Sequence, residues 1–165
     1  MKQILRGRIE KGSQEVALAA IMLALFFVFR TCRVVVIPGV LMVDLSAIPI
    51  YTAATFLSWY YTPLFAVSTL YGGSNPLPVF TWFFGMQVVF FTSKIVPEKW
   101  VPYLPALGNI SSAPVYAVLL HVSGLMPLSI YLVTGFPVAL TFYSATAFLG
   151  GLAIWKTLRR LGVLE

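Results

Sequence analysis

Few residues of this chain could carry out catalysis. There is one histidine, His121, and one cysteine, Cys32, so neither an intrachain disulfide nor a Cys-based metal site is possible. Ser74 and His121 could form a hydrolytic dyad, but "GGSN" is not a Gly-x-Ser-Gly setting and no third orienting group is evident. "YGGSN" also lacks the Lys of a phosphate-binding loop. We therefore expect a binding protein with no catalytic residue, metal or cofactor; a membrane-embedded Ser/His hydrolase is the alternative.

One carboxylate, Asp44, stands alone between apolar runs, and no charged residue follows it until Lys94. It could cap the next helix, with Ser46 and a first-turn proline completing the start. It could instead pair with Arg33 and shape the preceding loop, "TCRVVVIPGVLMVD", which is too apolar for a free connection. Arg30 and Arg33 themselves either snorkel to lipid headgroups or contact Asp44 or a ligand.

The composition indicates a membrane protein. Of 165 residues, 59% are hydrophobic and 10% are charged, against about 25% charged in a soluble domain. The charges are confined to the two termini and two short segments, which leaves long uncharged stretches typical of transmembrane helices. The basic excess lies mainly near the termini, where it sets topology and contacts lipid headgroups, so it does not indicate a nucleic-acid partner. We expect a single integral membrane domain, 1–165, in the cell membrane.

Six transmembrane helices are predicted, and the charges decide the number. Clear spans run over about 13–29, 102–122 and 128–155, the last with a kink predicted at Gly135 and Pro137. The segment 45–93 forms two spans if only "GGSNP" breaks it, or three if "SWYYTP" also turns the chain. Basic residues flank both termini, which places both in the cytoplasm and requires an even number of spans. The prediction is an all-α protein whose second and third helices are unusually short.

Short, interrupted helices at membrane depth are typical of proteins that enclose a binding site. Under the six-span topology, polar and aromatic side chains gather in the outer half: Tyr71, Ser74, Asn75, Thr81, Trp82, Tyr116, His121, Tyr131 and Thr134. Such residues bind a planar ligand by stacking and a few directional contacts, although each aromatic residue could equally belong to an interfacial belt. Gln87 and Asn109 are expected to bond between helices.

The first helix carries a narrow stripe of small residues: Ala17, Ala20 and Ala24. These positions share one helix face, and small residues let another helix approach closely in a membrane. The neighbour could be a partner subunit or a helix of the same chain. Ala147-x-x-x-Gly151 and Gly108-x-x-x-Ser112 offer similar patches.

Three stretches resemble one family, the substrate-binding (S) components of energy-coupling factor (ECF) vitamin transporters. They are "ALAAIMLAL" in the first helix, "IPGVLMVDLSAIPIY" at the entry to the second, and "AATFLSWYYTPLFAV" leading into the third. The likeness covers roughly the first 75 residues; the rest matches in length and span count only. Tyr61, Thr62 and Pro63 stand where Gly-Pro is common in the family, and no charged residue follows the third helix.

The resemblance implies a six-helix protein that captures a vitamin from outside. It would work with a transmembrane coupling subunit, docked on Ala17, Ala20 and Ala24, and with two cytoplasmic ATPase subunits. The lead ligand is riboflavin, or an anionic substrate if Arg33 is free of Asp44. The predicted substrate-binding residues are Arg33, Asp44, Tyr71, Asn75, Trp82, His121 and Tyr131. A stand-alone binder of a lipid or porphyrin-type molecule remains a second alternative.

Overall fold

The computed structural model describes residues 12–37, 41–43, 45–71 and 76–164, and it is built almost entirely from helices. Within these ranges the chain forms six helical segments. The first four are α1 (Gly12–Thr31), α2 (Ala47–Phe56), α3 (Tyr61–Ser68) and α4 (Leu77–Ile95). The fifth joins a 3₁₀ turn (Glu98–Tyr103) to α5 (Leu104–Val122). The sixth consists of α6 (Leu128–Val133), α7 (Gly135–Val138), a π-helical turn (Ala139–Tyr143) and α8 (Ser144–Arg160).

Three of the six segments are long and apolar enough to cross a membrane: Gly12–Thr31, Glu98–Val122 and Leu128–Arg160. By contrast, α2 has ten residues and α3 has eight, well below the roughly 20 that a spanning helix needs. The predicted shortness of the second and third helices is therefore confirmed, and so is the helical fold class with several apolar helices.

Successive segments run in opposite directions, so that both ends of the described chain lie at one end of the bundle. Three contacts fix this end. The Glu15 carboxylate, near the start of α1, accepts a hydrogen bond from the Ser58 amide after α2. Trp155 Nε1 on α8 donates to Thr55 Oγ1 on α2 at 3.0 Å. Arg159 Nη2 lies 2.7 Å from Glu98 Oε1 in the 3₁₀ turn. We call this the terminal end.

The opposite end carries a short antiparallel hairpin of β1 (Val34–Ile37) and β2 (Leu41–Val43), in which Val34 pairs with Val43. We call it the hairpin end. The apolar loop after the first helix was predicted to be structured, and the strands supply that structure. They were not part of the all-α prediction, because alternation is absent from so uniformly apolar a stretch.

The centre of the bundle is α2. All ten of its residues are buried, and α1, α4, α5 and α8 pack around it. A helix that is apolar on every face is stable only when it is covered on every side. Small residues such as Ala53 and Ala54 let the neighbouring helices come close, and Pro49 lies in the first turn, where it costs no hydrogen bond.

The sixth segment departs from regular α-helix where a kink was predicted. The helix is interrupted at Thr134, between α6 and α7, and a π-helical turn follows four residues of α7. The carbonyl of Tyr143, at the end of that turn, accepts a hydrogen bond from Asn109 Nδ2 at 3.0 Å. Gln87 Nε2 similarly donates to Thr62 Oγ1 at 2.7 Å. Both amides therefore bond between helices, as predicted.

Candidate functional site

The centre of the candidate site is Arg30, the last buried residue of α1. Its side chain is 6% exposed, although it lies at the hairpin end of a helix in an apolar protein. Nε donates to the Tyr71 carbonyl and Nη2 to the Thr69 carbonyl, both at 3.4 Å. These carbonyls follow α3, where helix carbonyls lack intrahelical donors and the helix dipole favours a cation. Arg30 therefore points into the bundle. The interpretation in which it snorkels to lipid headgroups is wrong for this residue.

One aromatic ring, that of Trp82, faces this guanidinium, and a series of ring contacts extends from it. The Arg30 side chain lies 6.0 Å from the centre of the Trp82 ring. Trp82 stacks on Tyr51 at 5.8 Å and meets Phe26 edge-on at 6.3 Å. The Tyr71 ring packs edge-on against Phe27 at 5.0 Å. We refer to these six residues as the Arg30 cluster: Phe26, Phe27, Arg30, Tyr51, Tyr71 and Trp82.

Tyr51 forms the floor of the cluster. Its ring is completely buried, and its hydroxyl lies 3.1 Å from Ser112 Oγ on α5. Two glycines make room for it: a Cβ added to Gly108 would lie 2.4 Å from the Tyr51 ring, and one added to Gly85 would lie 2.7 Å from the Gly108 carbonyl. Because α4 and α5 approach so closely here, the ring is held rigidly beneath Trp82.

The accessible part of the cluster is small. The Tyr71 side chain is 54% exposed and Trp82 is half-buried, while Tyr51 and Phe26 are enclosed. The site therefore presents the exposed ring of Tyr71 and part of the Trp82 ring beside a buried positive charge. Such a combination suits a planar ring with polar or negative substituents, because rings stack on rings and a guanidinium favours acceptors.

Tyr131 lies in a different part of the bundle. It is 2% exposed and packs edge-on against Tyr116 at 5.8 Å. These two rings belong to a separate apolar cluster with Ala117, Leu120 and Met126. The structure thus divides the predicted aromatic residues into two groups, and it places Trp82 and Tyr71, but not Tyr131, with the arginine.

The remaining predicted substrate residues are placed as follows. His121 is exposed at the end of α5, and Arg33 is exposed after α1. Asp44, Ser74 and Asn75 lie outside the described residues, so the capping and ion-pair roles weighed for Asp44 stay predictions.

The predicted substrate-binding set included Arg33 but neither Arg30 nor Tyr51, although Arg30 was weighed together with Arg33 as a possible contact to a ligand. The signal for Arg30 was present, because the buried face of α1 is Glu15, Leu18, Met22, Phe26 and Arg30, a series at intervals of three and four residues. Tyr51 was signalled more weakly, by a hydroxyl within an uninterrupted apolar helix, which needs a hydrogen-bonding partner when buried.

At the terminal end, Glu15 occupies the place that Arg30 has at the hairpin end. It is buried, and its carboxylate accepts hydrogen bonds from the Ser58 amide and from the Tyr60 hydroxyl, the latter at 3.1 Å. Both donors lie just before α3. The two buried charges of α1 therefore bind the two ends of the same short helix.

The small-residue stripe faces outward. Ala17, Ala20 and Ala24 are exposed on α1, whereas Ala19 on the other face is buried. The other small pairs are used inside the bundle: Ala147 and Gly151 are buried, as are Gly108 and Ser112. Packing within the chain thus uses those patches and leaves the stripe on α1 uncovered, and its role in docking a partner stays a prediction.

Comparison with known proteins found no matching family model, no matching curated protein and no matching solved structure. The resemblance to ECF transporter S components therefore rests on the residues quoted above.

Replacing Arg30 with Leu should lower the stability of the purified protein by about 1–3 kcal/mol, because it removes charge-assisted hydrogen bonds from one buried and one partly buried carbonyl. The change can be measured by thermal unfolding in detergent. Arg160→Leu, which removes an exposed arginine on the last turn of α8, is the matched control and should change stability by no more than about 0.5 kcal/mol. Equal losses in the two variants would contradict the role assigned to Arg30.

Proposed function

We propose that this chain is the substrate-binding membrane subunit of an ECF-type vitamin transporter. It captures a vitamin at the hairpin end, and a transmembrane coupling subunit with two ATPase subunits drives uptake. The observation that carries the proposal is the division of α1 into two faces. One face holds the Arg30 cluster and the other presents the exposed Ala17, Ala20 and Ala24 stripe, so one helix contacts both the ligand site and the surface offered to a partner.

The proposed topology has six spans with both termini in the cytoplasm. Six helical segments of alternating direction support it, together with the location of both described ends at the terminal end. That end also carries Lys94, Lys99, Arg159 and Arg160, in agreement with the bias of basic residues toward the cytoplasmic side. The shortness of α2 is compatible with a membrane because four other helices surround it and lipid does not have to satisfy its ends.

The proposed ligand is a planar, ring-containing vitamin, with riboflavin as the first candidate. The exposed parts of Trp82 and Tyr71 offer aromatic surface, and Arg30 offers a positive field to polar or anionic substituents on the ring. The half-burial of Trp82 favours a ligand that contacts one edge of the indole over one that covers the whole ring.

Calorimetry of the purified protein against a panel of vitamins should show tight binding of riboflavin. Trp82→Ala should weaken it by about 1–3 kcal/mol, through loss of one buried aromatic contact. Trp100→Ala is the control, since Trp100 is exposed at the terminal end, and it should leave the affinity unchanged. Tight binding of a polyanion without any flavin binding would exclude riboflavin, and no binding across the panel would contradict the proposed function.

Ala20→Leu should weaken assembly with the coupling subunit, because a larger side chain on the exposed face of α1 keeps a partner helix from packing closely against it. Ligand affinity should stay within about twofold of the original, because the substitution does not touch the bundle interior. The measurement is co-purification with the co-expressed coupling and ATPase subunits of the host. Ala19→Leu is the matched control one residue away: Ala19 is 5% exposed, so its enlargement should disturb the bundle and lower both stability and ligand binding. If Ala20→Leu abolished ligand binding as well, α1 would not dock a partner through this stripe.

A further inference from the structure

The terminal end carries a surface in which basic side chains border a row of aromatic side chains. It is formed where the 3₁₀ turn meets the end of α8, and the exposed Arg159–Glu98 ion pair joins the two. We call it the terminal patch and define it by six residues: Lys99, Trp100, Tyr103, Phe148, Arg159 and Arg160.

The aromatic members form a continuous row on the outside of the bundle. Trp100 lies 5.9 Å from Tyr103, and Tyr103 stacks on Phe148 at 5.2 Å with an interplanar angle of 24°. Trp100 is 54% exposed and Phe148 is 38% exposed. Trp59, which lies just before α3 at the same end, is likewise more than half exposed. Exposed tryptophan and tyrosine side chains are typical of the boundary between hydrocarbon and headgroups.

The charged members border this row at the end of α8, where Arg159 and Arg160 follow Phe148 by about three helical turns. Lys99 is 5.9 Å from the Trp100 ring centre, and Lys156, Arg159 and Arg160 are exposed on the last turns of α8. Glu98 is the one exposed carboxylate at this end among the residues that the structure describes, and it is engaged by Arg159. The patch therefore has an excess of positive charge directly above an apolar, aromatic surface.

From this arrangement we propose that the terminal patch binds an anionic phospholipid. The phosphate is held by Lys99, Arg160 and the outer part of Arg159, and the glycerol and upper acyl chain lie along Trp100, Tyr103 and Phe148. A soluble anion would use the charges alone and leave the aromatic row in contact with water. A zwitterionic lipid would cover the row but would place its own cation among the lysine and arginine side chains. Only an anionic lipid is complementary to both parts.

The test uses the purified full-length protein in detergent, with its thermal unfolding midpoint measured as lipid is added. Phosphatidylglycerol should raise the midpoint by several degrees, and phosphatidylcholine and inorganic phosphate should not. The double variant Lys99→Gln/Arg160→Gln should require more phosphatidylglycerol for the same shift, by about fivefold for each cation removed. Half-molar salt should weaken the effect in the original protein.

Arg33→Gln is the matched control, since it removes an exposed arginine at the hairpin end, and its response to phosphatidylglycerol should equal that of the original protein. An equal shift with phosphatidylcholine or phosphate, or an equal loss in Arg33→Gln and the double variant, would overturn the proposal. Circular dichroism of each variant establishes that the helices are intact. Riboflavin binding should not change in the double variant, so this test is independent of the proposed transport function.

Discussion

The two buried charges of α1 hold a helix that could not exist alone. Arg30 follows Glu15 by about four turns, or about 22 Å along the helix axis. The eight residues of α3 span only about 12 Å, so the two side chains contact residues that flank the helix: Ser58 and Tyr60 before it, and Thr69 and Tyr71 after it. An isolated helix of eight residues is unstable in water, because the free-energy cost of nucleating the helix exceeds the stabilisation from so few hydrogen bonds. Glu15 satisfies donors just before α3 and Arg30 satisfies acceptors just after it, with charges that complement the helix dipole at each end.

This constraint determines the rest of α1. The face bearing Glu15, Leu18, Met22, Phe26 and Arg30 is directed to the bundle, and a straight helix then has to present its opposite side to the surroundings. That side carries the alanine stripe. The connection from Arg30 to Trp82, and from Trp82 to Tyr51 on α2, also brings α1, α2 and α4 to one point at the hairpin end. A partner held on α1 would consequently contact the helix on which the candidate site is built.

Hydropathy and charge were sufficient to predict the helical fold, the short second and third helices and the irregular sixth one, because each follows from local composition. The interhelical bonds of Gln87 and Asn109 were predictable for a similar reason: an amide in an apolar helix needs a partner. The choice between Arg30 and Arg33 was not settled by local composition. Both arginines follow the same apolar run. Only Arg30 continues the series of buried residues on α1, four residues after Phe26, and this position distinguishes it from Arg33.

Other parts of the site depended on contacts between distant segments. The Tyr51 ring fits only because Gly85 and Gly108, on two other helices, meet beside it. Tyr131 and Trp82 are both aromatic and both lie near the start of their helices, yet α6 places Tyr131 and α4 places Trp82 in different apolar clusters. The hairpin strands have no alternation of polar and apolar residues from which they could be predicted. In each case the information lies in how helices are arranged around α2.

The central claim, that Glu15 and Arg30 hold α3 in place, is tested most directly by amide hydrogen exchange in detergent. The account predicts that Glu15→Gln and Arg30→Leu each accelerate exchange across 61–68 by about tenfold or more, which corresponds to the loss of roughly 1.4 kcal/mol of local stability. Exchange in α5 and α8 should stay as slow as in the original protein, and Glu98→Gln, which removes an exposed ion pair, should leave α3 unchanged. Unaltered protection of α3 in both variants, or an equal loss of protection in all helices, would contradict the claim.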